Sequence, residues 1–214
     1  MIYPIMLLII ALAYLYGCFS TARVVAKTFR SLNIYKVGSG LADTENIYSH
    51  VSKPMGVLVG ALDVLKALLF LLVAEFLLRL LDNSGSMGDV SLLYNRNIML
   101  LYGLGMLFGH CLPATHKFHG GRGIFTYTGF LLYVVPVPMT IALLLAWIIV
   151  LFFKQIRFAQ YVIVILPVLL THVFIGFFPS LLPDLPKFFV AIIWAIAILM
   201  GALNFVVSKR LGEL

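Results

Sequence analysis

Apolar residues fill six long stretches of this chain, residues 2–19, 55–80, 98–113, 124–153, 158–178 and 188–207, and most polar residues are left to the joints. Runs of about twenty apolar residues have the length a helix needs to cross a bilayer core. The alternating short segments of a β-barrel do not occur. The fourth stretch has thirty residues with Pro136 and Pro138 in its middle, which predicts two short helices and a return rather than one helix of about 45 Å. The pattern therefore predicts an all-α integral membrane protein with about seven transmembrane helices, some of them short. Beyond the first stretch, Arg23, Lys27 and Arg30 recur at helical spacing beside Val24, Val25 and Phe29, so that helix is expected to continue as an interfacial segment. Two glycines flank a serine at Gly38-Ser39-Gly40 and mark a tight loop.

Composition agrees. Of 214 residues, 63% are hydrophobic and 11% charged, with a mean hydropathy of +1.09, whereas soluble domains are roughly 45–50% apolar and 25% charged. The net charge of +7 is not a nucleic-acid signal. Eleven of the fifteen Lys and Arg residues fall in loops that this topology puts on one side. The positive-inside rule makes that side cytoplasmic, with the amino terminus outside and the carboxyl terminus in the cytoplasm. Cys18 and Cys111 both fall near cytoplasmic helix ends, so no disulfide is expected. The opening Met-Ile-Tyr-Pro lacks the basic region of a cleaved signal peptide, so the first helix is expected to stay in place. With no tandem repeat and no linker, residues 1–214 are expected to form one transmembrane domain.

The chemistry gathers in residues 109–128, between two apolar runs. This stretch holds three of the five histidines, Lys117, Arg122 and the glycines Gly109, Gly120, Gly121 and Gly123. Glycines allow positive φ, and Gly120, Gly121 and Gly123 are expected to aim successive N–H groups into one concavity. Lys117, His119 and Arg122 would ring it with positive charge, which suits a phosphate; a plain basic turn between helices explains the same residues. Asp63 and Lys66 share a helical face within an apolar span, either as a neutralised pair or as a substrate contact. His172 stands alone in an apolar span and is expected to be held by a structural hydrogen bond. There is no His-x4-Asp, Walker loop, Gly-x-Ser-x-Gly or metal-ligand cluster, so neither cofactor nor metal is expected.

These residues resemble the PlsY family, integral-membrane acyltransferases that move an acyl group from acyl phosphate to glycerol 3-phosphate. The family carries one motif of the form Gly-Ser-Gly-Asn-x-Gly-Ala-Thr-Asn and a second, Gly-His-x-x-Pro-x-x-x-x-Phe-Lys-Gly-Gly-Lys-Gly-Val-Ala-Thr. This chain has Gly38, Ser39, Gly40 and Asn46 in the first register. In the second it has Gly109, His110, Pro113, Phe118, Gly120, Gly121, Gly123 and Thr126. Gly56, Asp63 and Lys66 follow at the family's spacing. The resemblance implies a bacterial enzyme of the cell membrane that makes lysophosphatidic acid, with acyl phosphate, glycerol 3-phosphate and membrane lipid as partners and no nucleic acid. It implies Ser39, His110 and Arg122 as catalytic residues. Gly38, Gly40, Asn46, Lys66, His119, Gly120, Gly121, Gly123 and Asn204 would bind substrate.

The chain also departs from the pattern. The motif's Asn is Leu41, its Gly-Ala-Thr is Asp43-Thr44-Glu45, and the Arg that follows it is Ser49. The two lysines of the second motif are His119 and Arg122. A polar Ser-bearing region reads as residues 158–162, Phe-Ala-Gln-Tyr-Val, and the carboxyl-terminal His-x-x-Asn keeps only Asn204. An acyl phosphate is already activated, so the site has to hold two phosphate-bearing substrates and stabilise charge, not supply a covalent nucleophile. Arg for Lys keeps charge but changes geometry, and His119 is only partly charged near neutral pH. Asp43 and Glu45 add negative charge beside the expected phosphate site. The rival readings are a non-catalytic or altered-substrate paralogue that keeps the fold and an anion- or lipid-binding groove, and a transporter, for which the chain lacks an internal repeat.

Overall fold

The first apolar run forms α1 (Ile2–Gly17) and stops there. The computed structural model describes residues 2–85, 89–182 and 184–212. The expected continuation into the basic segment is replaced by a break and a new start. Ser20 caps a separate helix, α2 (Thr21–Arg30), its Oγ accepting the Arg23 N–H at 3.2 Å. A serine at this position competes with helix propagation by satisfying an otherwise orphaned donor. α2 buries Thr21, Ala22, Val25 and Ala26 and turns Val24, Lys27, Phe29 and Arg30 outward, the amphipathic character its spacing implies.

Two short elements, a 3₁₀ turn at Ile34–Lys36 and α3 (Thr44–His50), lead to α4 (Lys53–Asn83). α5 (Arg96–Cys111) packs against α1 through small residues. A Cβ on Gly109 would overlap the Tyr14 carbonyl, and one on Gly17 would overlap the Met106 carbonyl. Without a hydrophobic drive between helices in lipid, such close backbone approach is what holds them together.

The fourth apolar stretch divides as expected, into α6 (Ile124–Val134) and α7 (Pro136–Ile148), the latter prolonged by a π-turn at Ile149–Phe153. Val135 leaves the helical region at φ −137° and ψ 69°, the bias that a following proline imposes. Side-chain partners show that the chain reverses. Arg122, just before α6, and Arg157, in the first turn of α8 (Ile156–Phe177), both reach Glu45. At the other end of α6 the Val134 carbonyl accepts from Arg96, which begins α5. The chain therefore crosses twice between Arg122 and Arg157, and α9 (Phe189–Arg210) makes the seventh pass.

Among the described residues, six helical segments are long and apolar enough to cross a membrane, while the eleven residues of α6 are not. α6 is tolerated because protein surrounds it: Tyr127, Phe130, Leu131 and Val134 are fully buried. Gly103 makes room for the Phe130 ring, and Gly129 for the Val64 carbonyl of α4. Leu7, Leu69, Phe76, Trp147, Phe177 and Ile198 are exposed around the outside, an apolar surface that only lipid would cover. The protein is thus an all-helical integral membrane protein. Within α4, Glu75 pairs with Arg79 at 2.7 Å and accepts from the Tyr133 hydroxyl at 2.5 Å. The His172 Nε2 accepts from the Trp194 indole at 2.7 Å, the bonded state expected of it.

Candidate active site

Asn46 builds the first motif loop from inside. Its side-chain amide donates to the Val37 and Leu41 carbonyls at 2.9 and 2.8 Å, and its Oδ1 accepts the Ser39 N–H at 3.1 Å. The chain wraps this side chain only because Gly38 and Gly40 adopt φ of 52° and 72°, a region costly for residues with a Cβ. The Asp43 Oδ1 accepts the Asn46 N–H at 2.9 Å and caps α3.

The second motif loop lies directly against the first. The Ala42 N–H donates to the Gly120 carbonyl at 3.3 Å, and the Arg122 N–H donates to the Asp43 Oδ2 at 3.4 Å. The expected arrangement of the glycines needs correction. Gly123 has φ of 78°, but the other positive φ values in this loop belong to Lys117 and Phe118, not to Gly120 or Gly121. Those two are small because of crowding. A Cβ on Gly120 would overlap the His110 carbonyl, and one on Gly121 would stand 2.7 Å from the Asp43 Cβ and 2.8 Å from the His110 Nε2. Nor does the Gly121 amide stand open to a ligand, since its N–H donates to the His110 carbonyl at 3.2 Å.

Beneath the loops, α4 supplies a buried ionic layer. Lys66 Nζ lies 3.2 Å from the Asp63 Oδ1, donates to the Phe19 carbonyl at 3.0 Å and sits 3.5 Å from the His110 Nδ1. The Thr21 hydroxyl donates to the Asp63 Oδ1 at 2.7 Å. Lys66 thus pins the break between α1 and α2 and neutralises Asp63. A lysine ammonium has donors only, so a hydrogen bond from Lys66 to the Nδ1 places the His110 proton on Nε2, beside Gly121, while the Asp63 Oδ1 stands 3.8 Å from the same Nδ1.

Above this layer the two acidic departures point inward and pair. One Glu45 oxygen, Oε2, accepts from Arg122 at 2.9 Å, from Arg157 at 2.5 Å and from the Gln160 amide at 2.7 Å. The Asp43 Oδ2 lies 3.6 Å from the Arg122 guanidinium. Burial pushes the Asp43 carboxyl above its ordinary range, and Arg122 opposes that only in part. Asp43, Glu45, Arg122 and Gln160, but not Arg157, line a cavity of about 20 Å³ with Asp63, His110, Thr44, Gly123, Ile124 and Phe125, room for a single water. The Thr44 hydroxyl is buried without a hydrogen-bond partner among the described residues.

Of the expected catalytic residues, His110 and Arg122 meet on the cavity. Ser39 lies outside its lining, half-buried, with its Oγ accepting the Leu41 N–H at 3.4 Å. Gly38, Gly40 and Asn46 shape the first loop, and Lys66 sits behind His110. Asn204 of α9 donates to the Arg122 carbonyl at 3.3 Å and ties the second loop down. Among the expected binding residues Gly123 lines the cavity, and Gly120 and Gly121 form the contact between the loops. His119 is exposed, with its Nδ1 on the Lys117 carbonyl at 2.7 Å, so neither it nor Lys117 reaches the cavity. Sequence reasoning missed Arg157 and Gln160. Their signal is a spacing of three at the polar start of an apolar helix, which puts both on one face.

The chain matches the family model described as Glycerol-3-phosphate acyltransferase over residues 7–207. The glycerol-3-phosphate acyltransferase of Thermoanaerobacter pseudethanolicus is 33% identical over 132 residues, 62% of this chain and 59% of that protein. That of Staphylococcus aureus is 29% identical over 156 residues, 73% of this chain and 74% of the relative. The fold is similar to a crystal structure of PlsY, an integral membrane glycerol 3-phosphate acyltransferase, in its glycerol 3-phosphate form. The TM-score is 0.70 with 25% identity, over 96% of this chain and 88% of that one. The match runs through both motif loops and nearly every helix, and the chain belongs to the glycerol-3-phosphate acyltransferase family of the PlsY type.

Proposed function

We propose that this protein is a membrane acyltransferase that moves an acyl group from acyl phosphate to glycerol 3-phosphate, giving lysophosphatidic acid, the first step of phospholipid synthesis. Residues 1–214 act as one domain of the cell membrane, with the site on the cytoplasmic face, the amino terminus outside and the carboxyl terminus inside. The observation that carries this reading is the contact between the two motif loops, which sets His110 and Arg122 on one cavity at one end of the bundle.

In the reaction the glycerol hydroxyl oxygen attacks the acyl carbon, the carbon–oxygen bond to phosphate breaks, and the hydroxyl proton leaves with the phosphate. The charge that develops on the carbonyl and phosphate oxygens needs fixed donors. The His110 Nε2–H and the Arg122 guanidinium supply them from the cavity wall, with Arg157 behind Arg122. Ser39 contributes a hydroxyl that turns about one torsion from Leu41 to substrate. Lys66 and Asp63 hold His110 in its tautomer, and Asn46 and Asn204 hold the loops. No step calls for a metal or cofactor.

The test is acyl transfer by the purified protein in lipid, with labelled glycerol 3-phosphate and palmitoyl phosphate. Wild type is expected to form product, Gly121→Leu to form none because its side chain would enter Asp43 and His110, and Ser39→Ala to lose roughly tenfold or more. Absence of product from folded wild type overturns this reading. It would favour the second one, a relative with an altered acceptor or no catalysis, for which Glu45 and Asp43 on Arg122 are the supporting observation.

A further inference from the structure

Where the family pattern has Gly-Ala-Thr, this chain carries two carboxylates into the cavity, and they behave differently. Asp43 is fixed in place by capping α3 through the Asn46 N–H at 2.9 Å. Glu45 sits in the first turn of α3, and its side chain, 17% exposed, reaches Arg122, Arg157 and Gln160 through a single oxygen. Two guanidinium donors and an amide converging on one oxygen are what a phosphate oxygen would receive at the same point. The cavity left over, about 20 Å³, is smaller than a phosphate and is lined by three carboxylates, Asp43, Glu45 and Asp63. Arg122 is enclosed, its side chain 3% exposed, so a dianion in the cavity takes its place beside that guanidinium only after the Glu45 carboxylate has swung away on its three side-chain torsions.

We propose that Glu45 is a built-in competitor of the substrate phosphate, a tethered carboxylate that occupies the phosphate position and sets the affinity for phosphate-bearing substrates. This rests on the acyltransferase reading for the identity of the substrate. Because the competitor is part of the chain, its effective concentration is fixed by the tether and does not dilute. The site therefore stays closed and charge-balanced until a phosphate concentrated enough to replace the carboxylate arrives. Glu45 is a specificity-determining residue, not a catalytic one.

The experiment measures glycerol 3-phosphate twice, as KM in acyl transfer and as Kd by equilibrium binding of the labelled compound to protein in lipid discs. Glu45→Gln, and Glu45→Thr, which restores the family's residue, are expected to lower both constants about tenfold, with kcat moving less. Without phosphate, Glu45→Gln should unfold at a lower temperature than wild type. Inorganic phosphate should restore its stability while leaving wild type nearly unmoved. Should Glu45→Gln fail to fold, Glu45→Asp keeps the charge on a shorter tether and is expected to bind more tightly than wild type but less tightly than Glu45→Thr. Variants that bind glycerol 3-phosphate no tighter than wild type overturn the proposal. The two readings separate cleanly. Tighter binding with no product from any form keeps the competitor and removes the acyltransferase, whereas product with unchanged KM and Kd does the reverse.

Discussion

At the scale of single residues, buried carboxylates here have opposite sources of support. Asp63 is held by Lys66 and Thr21. Asp43 is held by backbone donors and one guanidinium, and burial still raises its carboxyl above the ordinary range. A carboxyl raised by folding favours the folded state at pH below about 4, where both states are protonated, and that contribution is lost as pH rises through the raised value. Asn caps a helix as well as Asp does. Asp43→Asn is therefore expected to unfold at the same temperature as wild type or higher at neutral pH, with the difference shrinking as pH falls toward 4. Thermal unfolding in detergent across that range checks it, and a variant less stable than wild type at pH 7 would show that the Arg122 pairing outweighs burial. What sequence could tell at this scale was uneven. That Asp43 and Glu45 depart from the family motif was legible in the sequence. Their direction depends on where Arg157 and Gln160 arrive from α8, more than a hundred positions away, which no local pattern encodes.

At the scale of elements, glycine meant crowding more often than positive φ. Gly38, Gly40 and Gly123 do adopt positive φ. Gly120 and Gly121, read from sequence as an amide nest, are instead small so that two loops can touch. Both causes leave the same letter in the sequence. The α1–α5 contact offers the clearest case. A Cβ on Gly109 would meet the Tyr14 carbonyl, the Gly17 Cα and the Cys18 nitrogen, all backbone atoms that cannot rotate away. Gly109→Ala is expected to destabilise the protein by about 1–3 kcal/mol. Gly176→Ala, in α8 with nothing within 4 Å of its added carbon, should be neutral or stabilising by up to about 1 kcal/mol. Thermal and denaturant unfolding of the two variants side by side makes the comparison. Equal losses would mean that helix propensity, and not close approach, is what Gly109 serves. The helix break before α2 was the element that periodicity misjudged, because Arg23, Lys27 and Arg30 keep helical spacing within α2 and carry no mark of the cap at Ser20 before them.

At the scale of the whole molecule, hydropathy made six apolar stretches and the split of one of them legible, since bilayer thickness and two prolines act directly on sequence. It could not make legible how an eleven-residue α6 persists at the centre, which depends on α4, α5 and α8 enclosing it. The hairpin matters for function because it returns the chain to the Arg122 end and so delivers Arg157 and Gln160 to Glu45. It also fixes which polar joints share a side. Lys36, Lys117 and Lys154 all belong to the joints at the Arg122 end, and Asp89 belongs to the end where Arg96 begins α5. The basic joints are expected in the cytoplasm. Single cysteines at these four positions, in a chain with Cys18 and Cys111 replaced by Ser, turn that into a measurement with a membrane-impermeant maleimide. In intact cells the cysteine at position 89 should label, while those at 36, 117 and 154 should label only after the membrane is opened. Labelling at 154 as well as 89, with 36 and 117 protected, would mean that α6 and α7 make one crossing, and Arg157 would then stand across the membrane from Glu45. Labelling at 36, 117 and 154 together, with 89 protected, would keep the hairpin and turn the site to the outer face, away from any cytoplasmic supply of acyl phosphate.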